Sequence, residues 1–171
     1  MTQPRPYNNY YVHNEFEIKG FFEEFVFLSN FHVAPVWFEG ILYPSTENAY
    51  QAAKCAIKHD RERFVELTAA ASKRLGQVIP MRDDWEDVKY DIMAAVVFEK
   101  FYRHKDLRRG LLATGYRHLE EANHWGDRVW GTTNGIGKNW LGKILMRTRF
   151  FWQEENKSGV EGIIIPFEKA A

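Results

Sequence analysis

The sequence is poor in cysteine, carries no excess charge and contains no long apolar run. Its single cysteine, Cys55, cannot form an internal disulfide, which indicates a buried thiol in a reducing compartment. The 23 basic and 23 acidic residues balance to zero, which disfavours broad electrostatic attachment to nucleic acid or anionic membranes. No apolar run reaches membrane-spanning length, and residues 1–11 lack the pattern of a secretory signal. We therefore expect a cytoplasmic protein with no membrane segment.

Several motifs for metals, cofactors and nucleophilic serines are also missing. The six histidines are scattered without the close pairing of a zinc site, and no G-x-S-x-G sequence is present. The G-I-G loop at residues 135–137 is not a P-loop, because Asn139 follows its lysine and Thr132 replaces the leading glycine. It is not a dinucleotide fingerprint either, since Trp140 occupies the third glycine's place. The loop remains an anion-binding nest or a simple tight turn, and we predict neither metal nor cofactor.

The composition indicates one folded domain. Hydrophobic residues make up 45% of the chain and aromatic residues 16%, which argues against disorder. A length of 171 residues suits a single domain with a substantial core. Prolines and an Asn-Asn pair predict a flexible tail over residues 1–14, before a domain over 15–156 and a C-terminal extension over 157–171.

The pattern of apolar residues predicts more helix than strand. One or two strands are expected between residues 15 and 31, a hairpin at 33–37 and 41–43, and a short strand at 119–122. Helices are predicted at 46–58, 61–70, 72–76, 85–104, 106–114 and 140–153, with the pair Asp83-Asp84 offering a cap to the fourth and Asp106 a cap to the fifth. The expected fold class is α+β, predominantly helical, in a single compact domain with a few short strands.

Residues 43–54 open the first predicted helix and concentrate unusual side chains. Ser45 can cap this helix, and Glu47 falls in its first turn, where the helix dipole favours a carboxylate. Lys54 follows seven residues later, about two turns along nearly the same line of the helix. Glu47 and Lys54 can line the floor of a pocket or belong to an ordinary solvated face, and the spacing leaves both interpretations open.

Two carboxylates in unusual settings suggest glycosidic chemistry. Glu47 lies at a helix start, and Asp127 lies among tryptophans and glycines. Paired carboxylates beside aromatic rings suit glycosidic cleavage, where positive charge develops on the sugar and the leaving group can need a proton. Alternatively, the Lys54 amine can attack the anomeric carbon and form a Schiff base with the opened sugar. Trp85, at the start of the long helix, is either a ring that stacks on a base or a core residue.

Six motifs together resemble one known family. They are F-L-S-N-F at 27–31, Y-P-S-x-E-x-x-Y-Q-A-x-K at 43–54, the helix-start tryptophan at 85, L-L-x-T-G at 111–115, D-x-x-W-G at 127–131 and G-x-N-x-L-G-x-x-L-M at 137–146. In this order they resemble the NADAR (NAD and ADP-ribose) superfamily, the YbiA-like N-glycosidases, over about residues 25–150. The resemblance implies a helix-rich fold with few strands and metal-independent cleavage of N-glycosidic bonds. Some members hydrolyse phosphorylated ribosylamino-pyrimidine intermediates of riboflavin synthesis, and others remove ADP-ribose from guanine bases.

The resemblance also implies a set of site residues. The resemblance falls on the catalytic candidates Glu47, Lys54 and Asp127 and on the substrate-binding candidates Asn30, Trp85, Trp130 and Asn139. Ser29, Lys73, Gly135 and Gly137 are added as substrate-binding candidates from their own residue type and position. Glu47 would hold the ribose hydroxyls or act as general acid or base, Lys54 would be a nucleophile or electrostatic partner, and Asp127 would stabilise the oxocarbenium-like state or position water. One of the two tryptophans would stack on the base, the serine and asparagines would fix polar edges, and Lys73 with the 135–137 backbone would contact phosphates.

One departure from the family pattern concerns those phosphates. Residues 132–134 read T-T-N where family members carry a glycine-rich, often charged run, which leaves substrate size open. The expected partner is a nucleotide or ADP-ribosyl substrate, with ADP-ribosylated DNA or RNA as a further option. A non-catalytic ADP-ribose-binding module is the alternative function. Oligomeric state is not determined by the sequence.

Overall fold

The computed structural model describes residues 11–158. In chain order the elements are β1 (Val12–His13), β2 (Glu17–Lys19), a 3-10 helix (Glu23–Leu28), β3 (Val33–Phe38), β4 (Ile41–Ser45), α1 (Thr46–Ala52), a second 3-10 helix (Lys58–Phe64), α2 (Ala69–Leu75), α3 (Trp85–Arg103), α4 (Lys105–Ala113), β5 (His118–Glu120) and α5 (Trp140–Ser158). Helices outweigh short strands in this order of elements, so the predicted α+β class is confirmed.

The strands form two small sheets. β2 pairs antiparallel with β1 and parallel with β5, in the order β1-β2-β5. β3 and β4 form the predicted antiparallel hairpin. Its two turn residues, Glu39 and Gly40, both have positive φ angles, of 46° and 82°, and paired positive φ angles are the requirement of a two-residue turn matched to the twist of the strands.

Two predicted helix ranges are wrong for identifiable reasons. α1 ends at Ala52 because the following residues turn and pair with residues 80–82, where Ala56 donates to the Pro80 carbonyl and Arg82 donates to the Lys54 carbonyl. The predicted helix at 61–70 merges a 3-10 helix with the start of α2. The Thr68 side chain caps α2 by accepting a hydrogen bond from the Ala71 N–H, which begins a new helix there.

Capping was predicted with mixed success. Ser45 caps α1 as expected, since its Oγ accepts from the Asn48 N–H at 3.2 Å. Asp84 does not cap α3, because its carboxylate pairs with Arg82 instead. α4 begins before Asp106, which therefore lies in the first turn of that helix rather than at the cap. Cys55 is buried as predicted, but it lies beyond α1, where its backbone forms an isolated antiparallel β-bridge with Met81.

The predicted segment boundaries fall inside structured elements. Val12 of the expected tail pairs with Lys19, so the proposed start at residue 15 divides the pairing of β1 with β2. The expected extension begins within α5, which continues to Ser158. Residues 1–10 and 159–171 of these two segments lie outside the described residues. In the region between residues 15 and 31, the structure has one strand, β2, followed by a 3-10 helix.

The core surrounds α1, which positions the site. Every residue of α1 is buried, and the helix contacts α2, α3 and both strands of the hairpin. The interpretation of this segment as a solvated surface helix is therefore wrong. Over residues 11–158, no helix is both long and apolar enough to cross a membrane.

Candidate active site

A cavity of about 540 Å³ opens between α1, α2, α3, the first 3-10 helix and the segment after β5. Seven predicted site residues line it: Ser29, Asn30, Glu47, Lys54, Lys73, Asp127 and Trp130. Ten residues that were not predicted also line it: Phe21, Phe22, Val26, Phe31, Tyr50, Gln51, Met93, Glu121, Trp125 and Leu141. The cavity thus joins three carboxyl groups and two amines to a largely aromatic wall.

Glu47 is fixed at the buried end of α1. Its backbone N–H donates to the Asn30 carbonyl at 3.0 Å, which ties the helix start to the loop before β3. Its Oε1 accepts a hydrogen bond from Gln51 Nε2 at 2.8 Å, one helical turn further on. Gly76 packs against Gln51 so closely that an added Cβ would lie 2.0 Å from the amide oxygen. The carboxyl group is therefore held in position through Gln51 and the glycine behind it.

Burial governs the ionisation of Glu47. Loss of hydration raises the pKa of this carboxyl group, and the nearby Asp127 charge raises it further. The hydrogen bond from Gln51 and the charges of Lys73 and Lys54 act in the opposite direction. The raised pKa brings Glu47 closer to the range in which a carboxyl group exchanges protons near neutral pH.

Lys54 lies just beyond α1, against two aromatic rings. Its Nζ is 5.6 Å from the centre of the Tyr50 ring and 5.7 Å from that of Trp85. Burial lowers the pKa of this amine; Glu47 raises it and Lys73 lowers it. Trp85 is itself buried, with its ring 5.0 Å from Tyr50, and it does not line the cavity. The structure thus places the Trp85 ring in the core, in contact with Lys54, and the stacking of this ring on a base stays a prediction.

Asp127 is held by a network in the loop that follows β5. Its Oδ1 accepts hydrogen bonds from the N–H groups of Val129 and Trp130, at 3.0 and 2.9 Å. The buried Asn123 donates to the Asp127 carbonyl at 2.7 Å and accepts from the Asp127 N–H at 3.0 Å. Thr133 donates to the Asn123 amide oxygen as well, so this asparagine closes the loop, while the two backbone N–H groups orient the Asp127 carboxylate.

Aromatic rings and a lysine form the wall of the cavity. Lys73 Nζ lies 5.7 Å from the Phe31 ring centre and 5.8 Å from that of Trp125, within reach of both faces. Phe31 and Trp125 remain about half exposed. Trp130 packs edge-on against Tyr50 with ring centres 5.3 Å apart. The predicted Lys73 and Trp130 thus reach the cavity from two distant parts of the chain.

Ser29 and Asn30 contribute through the loop before β3. The Ser29 Oγ accepts from the Phe31 N–H at 3.2 Å, and its carbonyl accepts from the buried Lys100 at 2.9 Å. Asn30 is buried and donates to the sulfur of Met93 at 3.2 Å. These contacts stabilise the loop that also receives the Glu47 N–H.

Three predicted binding residues do not reach the cavity. Gly135 lies in a tight turn with a φ of 74°, and an added Cβ would meet nothing nearby. Gly137 packs on the Gly131 carbonyl, where a Cβ would come within 2.2 Å. Asn139 is buried and donates to the Leu119 carbonyl at 2.9 Å. None of the three lines the cavity, so their contact with substrate stays a prediction; Gly137 and Asn139 pack within the segment after β5 and against it.

Sequence reasoning missed several polar residues of the site. Tyr50 and Gln51 belong to the recognised motif, and their helical spacing from Glu47 was an available signal. Burial raises the pKa of Tyr50. Glu121 carried no comparable signal, because only its position after β5 directs it into the cavity. No group of three or more His, Cys, Asp or Glu side chains suited to a metal occurs within residues 11–158.

Comparison with known proteins identifies the class. The family model described as the NADAR domain matches residues 10–151, and this chain belongs to that family. The NMR structure of the E. coli protein YbiA superimposes with a TM-score of 0.74 at 30% identity, covering 91% of this chain and 94% of that one. The predicted family resemblance and the predicted fold are therefore both confirmed.

Two relatives carry informative names. The N-glycosidase YbiA of Shigella flexneri is 35% identical over 128 residues, which are 71% of this chain and 78% of that protein. A riboflavin biosynthesis protein of Vibrio vulnificus is 37% identical over 132 residues, or 75% of this chain. The matched region is 36% of the Vibrio protein, so this chain corresponds to about a third of its length.

Proposed function

We propose that this chain is an N-glycosidase that cleaves the C1′–N bond between a base and a phosphorylated ribose or ADP-ribose. The observation that supports this most directly is the convergence of Glu47, Asp127 and Lys54 in one aromatic-walled cavity. A volume of about 540 Å³ lies within the range of small-molecule sites. The name of the Shigella relative supports the same reaction class.

The carboxyl groups suit the electronic demand of this reaction. As the C1′–N bond breaks, its electrons leave with the base nitrogen and positive charge spreads over C1′ and the ring oxygen. The Asp127 carboxylate, oriented by two backbone N–H groups, would stabilise that charge or position water. Glu47 would hold the ribose hydroxyls or transfer protons, which its raised pKa favours.

Lys54 allows a covalent route beside direct attack by water. The lowered pKa increases the fraction of neutral amine, which is the nucleophilic form. Attack by this amine on C1′ would displace the base and lead to a Schiff base with the opened sugar, which water would then hydrolyse. In the direct route, Lys54 would instead act as an electrostatic partner of Glu47.

The wall of the cavity suits the remaining parts of the substrate. Lys73 would contact a phosphate, and the Trp130 ring would stack on the base. Ser29 and Asn30 would supply polar contacts at the edge of the sugar or base. The two substrate classes under this proposal are a ribosylamino-pyrimidine phosphate and a guanine base that carries ADP-ribose in nucleic acid.

A product assay tests the proposal. The purified chain is incubated in parallel with a ribosylamino-pyrimidine phosphate, guanine-ADP-ribosylated DNA and NAD, and released bases are identified by mass spectrometry. We expect release from at least one substrate and its loss in Glu47→Gln, while circular dichroism shows an intact fold. The exposed Glu66, which lies outside the cavity, supplies the control Glu66→Gln, which should retain activity.

The possible outcomes separate the mechanisms. Normal turnover by Glu47→Gln would remove this residue from the reaction. An adduct trapped by borohydride in the unmodified chain and lost in Lys54→Ala would support the covalent route. Tight binding of ADP-ribose without base release from any substrate would contradict the proposal and favour a non-catalytic nucleotide-binding module.

A further inference from the structure

Glu121 is a cavity residue with a fixed backbone. Its N–H donates to Asn139 Oδ1 at 3.0 Å, and its carbonyl accepts from the Thr132 N–H at 2.9 Å. Gly131 packs on that carbonyl so tightly that an added Cβ would lie 2.0 Å away. The side chain lines the same cavity as Glu47 and Asp127. These backbone contacts fix the position of Glu121 at the cavity, as expected of a preorganised group.

The Glu121 carboxyl group differs from that of Glu47 in its hydrogen bonding. Glu121 keeps part of its surface open to the cavity, but its Oε2 atom is buried and has no hydrogen-bond partner among the described residues. Glu47 Oε1, in contrast, accepts a hydrogen bond from Gln51. A donor stabilises the ionised form of a carboxyl group, whereas burial without a donor favours the protonated form.

The charges that face Glu121 come from four different segments. Asp127 in the loop and Glu47 on α1 raise its pKa, while Lys73 on α2 and Lys100 on α3 lower it. Burial is the largest influence, and together these effects raise the pKa of Glu121 to about 8. Neighbouring carboxyl groups do not all ionise easily, because their negative charges repel one another. The proton is therefore expected on Glu121, whose buried oxygen lacks a hydrogen-bond donor.

We propose that Glu121 is the general acid of this cavity and protonates the leaving nitrogen as the C1′–N bond breaks. The inference rests on the proposed N-glycosidase function. The electrons of the broken bond go to nitrogen, and the Glu121 proton forms the new N–H bond. The oxygen of one water molecule bonds to C1′, and the proton this water loses passes to the Glu47 carboxylate. Exchange with solvent then returns Glu121 to its acid form and Glu47 to its carboxylate, so the net reaction consumes one water.

Leaving-group dependence tests this role. A general acid contributes about 10²- to 10⁴-fold to the rate, so Glu121→Gln should lose that factor on a ribosylamino-pyrimidine phosphate. In nicotinamide mononucleotide the ring nitrogen is already positively charged, takes the electrons of the C1′–N bond and leaves as neutral nicotinamide without a proton. With this substrate the loss should stay within about tenfold because no acid catalysis is needed. The exposed Glu66, which does not line the cavity, supplies the control Glu66→Gln with unchanged rates. An equal loss on both substrates would overturn the proposal.

A second measurement does not depend on turnover. Carbon-13 NMR of chain labelled at the glutamate carboxyl carbons would follow the titration of Glu121, assigned by the signal missing in Glu121→Gln. We expect a midpoint far above the usual carboxyl range, and a midpoint near that range would overturn the proposal whatever the activity. If the unmodified chain releases no base from any substrate, the N-glycosidase function itself fails. If the chain is active but Glu121 titrates in the usual carboxyl range, only the role of Glu121 as general acid fails. Circular dichroism establishes that the variant is folded.

Discussion

Replacement of Glu121 by glutamine is expected to flatten the pH dependence of the free energy of unfolding. The pKa of Glu121 is raised from 4.5 to about 8, chiefly by burial and by the Asp127 charge. A carboxyl group whose pKa is raised in the folded state stabilises that state while it is protonated, and the contribution is lost as pH rises from the unfolded pKa through the folded one. Each pH unit in this window is worth about 1.4 kcal/mol.

The size of the effect follows from that window. Relative to Glu121→Gln, the unmodified chain should lose about 2 kcal/mol of unfolding free energy between pH 4.5 and about pH 6, and about 4 kcal/mol by about pH 8. The glutamine keeps the shape of the side chain but does not titrate, so the difference between the two profiles isolates one group.

Urea unfolding at a series of pH values measures this difference. The six tryptophans supply the fluorescence signal, and linear extrapolation gives the free energy of unfolding at each pH. Glu66→Gln, at an exposed glutamate outside the cavity, serves as the control for the removal of a carboxyl group. If the profile of Glu121→Gln runs parallel to that of the unmodified chain, Glu121 is already ionised in the folded state, and the reasoning from its buried, unpartnered oxygen is refuted.

Two further predictions concern the supports of the catalytic groups. Gly76→Ala should displace Gln51, which lowers turnover through the loss of the donor to Glu47 and costs about 1–3 kcal/mol of stability. Most of this loss of stability should vanish in a Gln51→Ala background, where the added methyl group has no amide to displace. If the loss persists in that background, the contact between Gly76 and Gln51 is not its cause. Asn123→Ala should destabilise the chain by about 2–3 kcal/mol in urea unfolding, because it removes the hydrogen bonds that close the loop around Asp127. An unchanged kcat/KM in that variant would show that the loop does not position Asp127 for the reaction.

Elements encoded by neighbouring residues were predicted well. The hairpin at 33–45 is set by alternation and a two-residue turn that contains Gly40. α3 begins at the predicted residue, and α1 begins where Ser45 was expected to cap it. These features depend on hydrogen bonds and side-chain contacts within a few residues, so the local sequence carries the necessary information.

The end of α1 shows where local reasoning stops. The sequence continues with alanines that favour a helix, yet the chain turns after Ala52 because residues 54–56 pair with residues 80–82. That pairing partner is distant in sequence, so no local pattern predicts it. The same turn places Lys54 against Trp85 rather than on the line of a longer helix.

The sequence alone determined the family, the fold class and seven of the residues that line the cavity, because the six motifs preserve residue type and order. Only the tertiary structure decided how these residues are used. It turned Trp85 into the core and kept the 135–137 loop and Asn139 outside the cavity. It also brought in Glu121 without a hydrogen-bond donor to its buried oxygen. Burial and the charges of distant segments set the ionisation of a carboxyl group, and both exist only once the chain has folded.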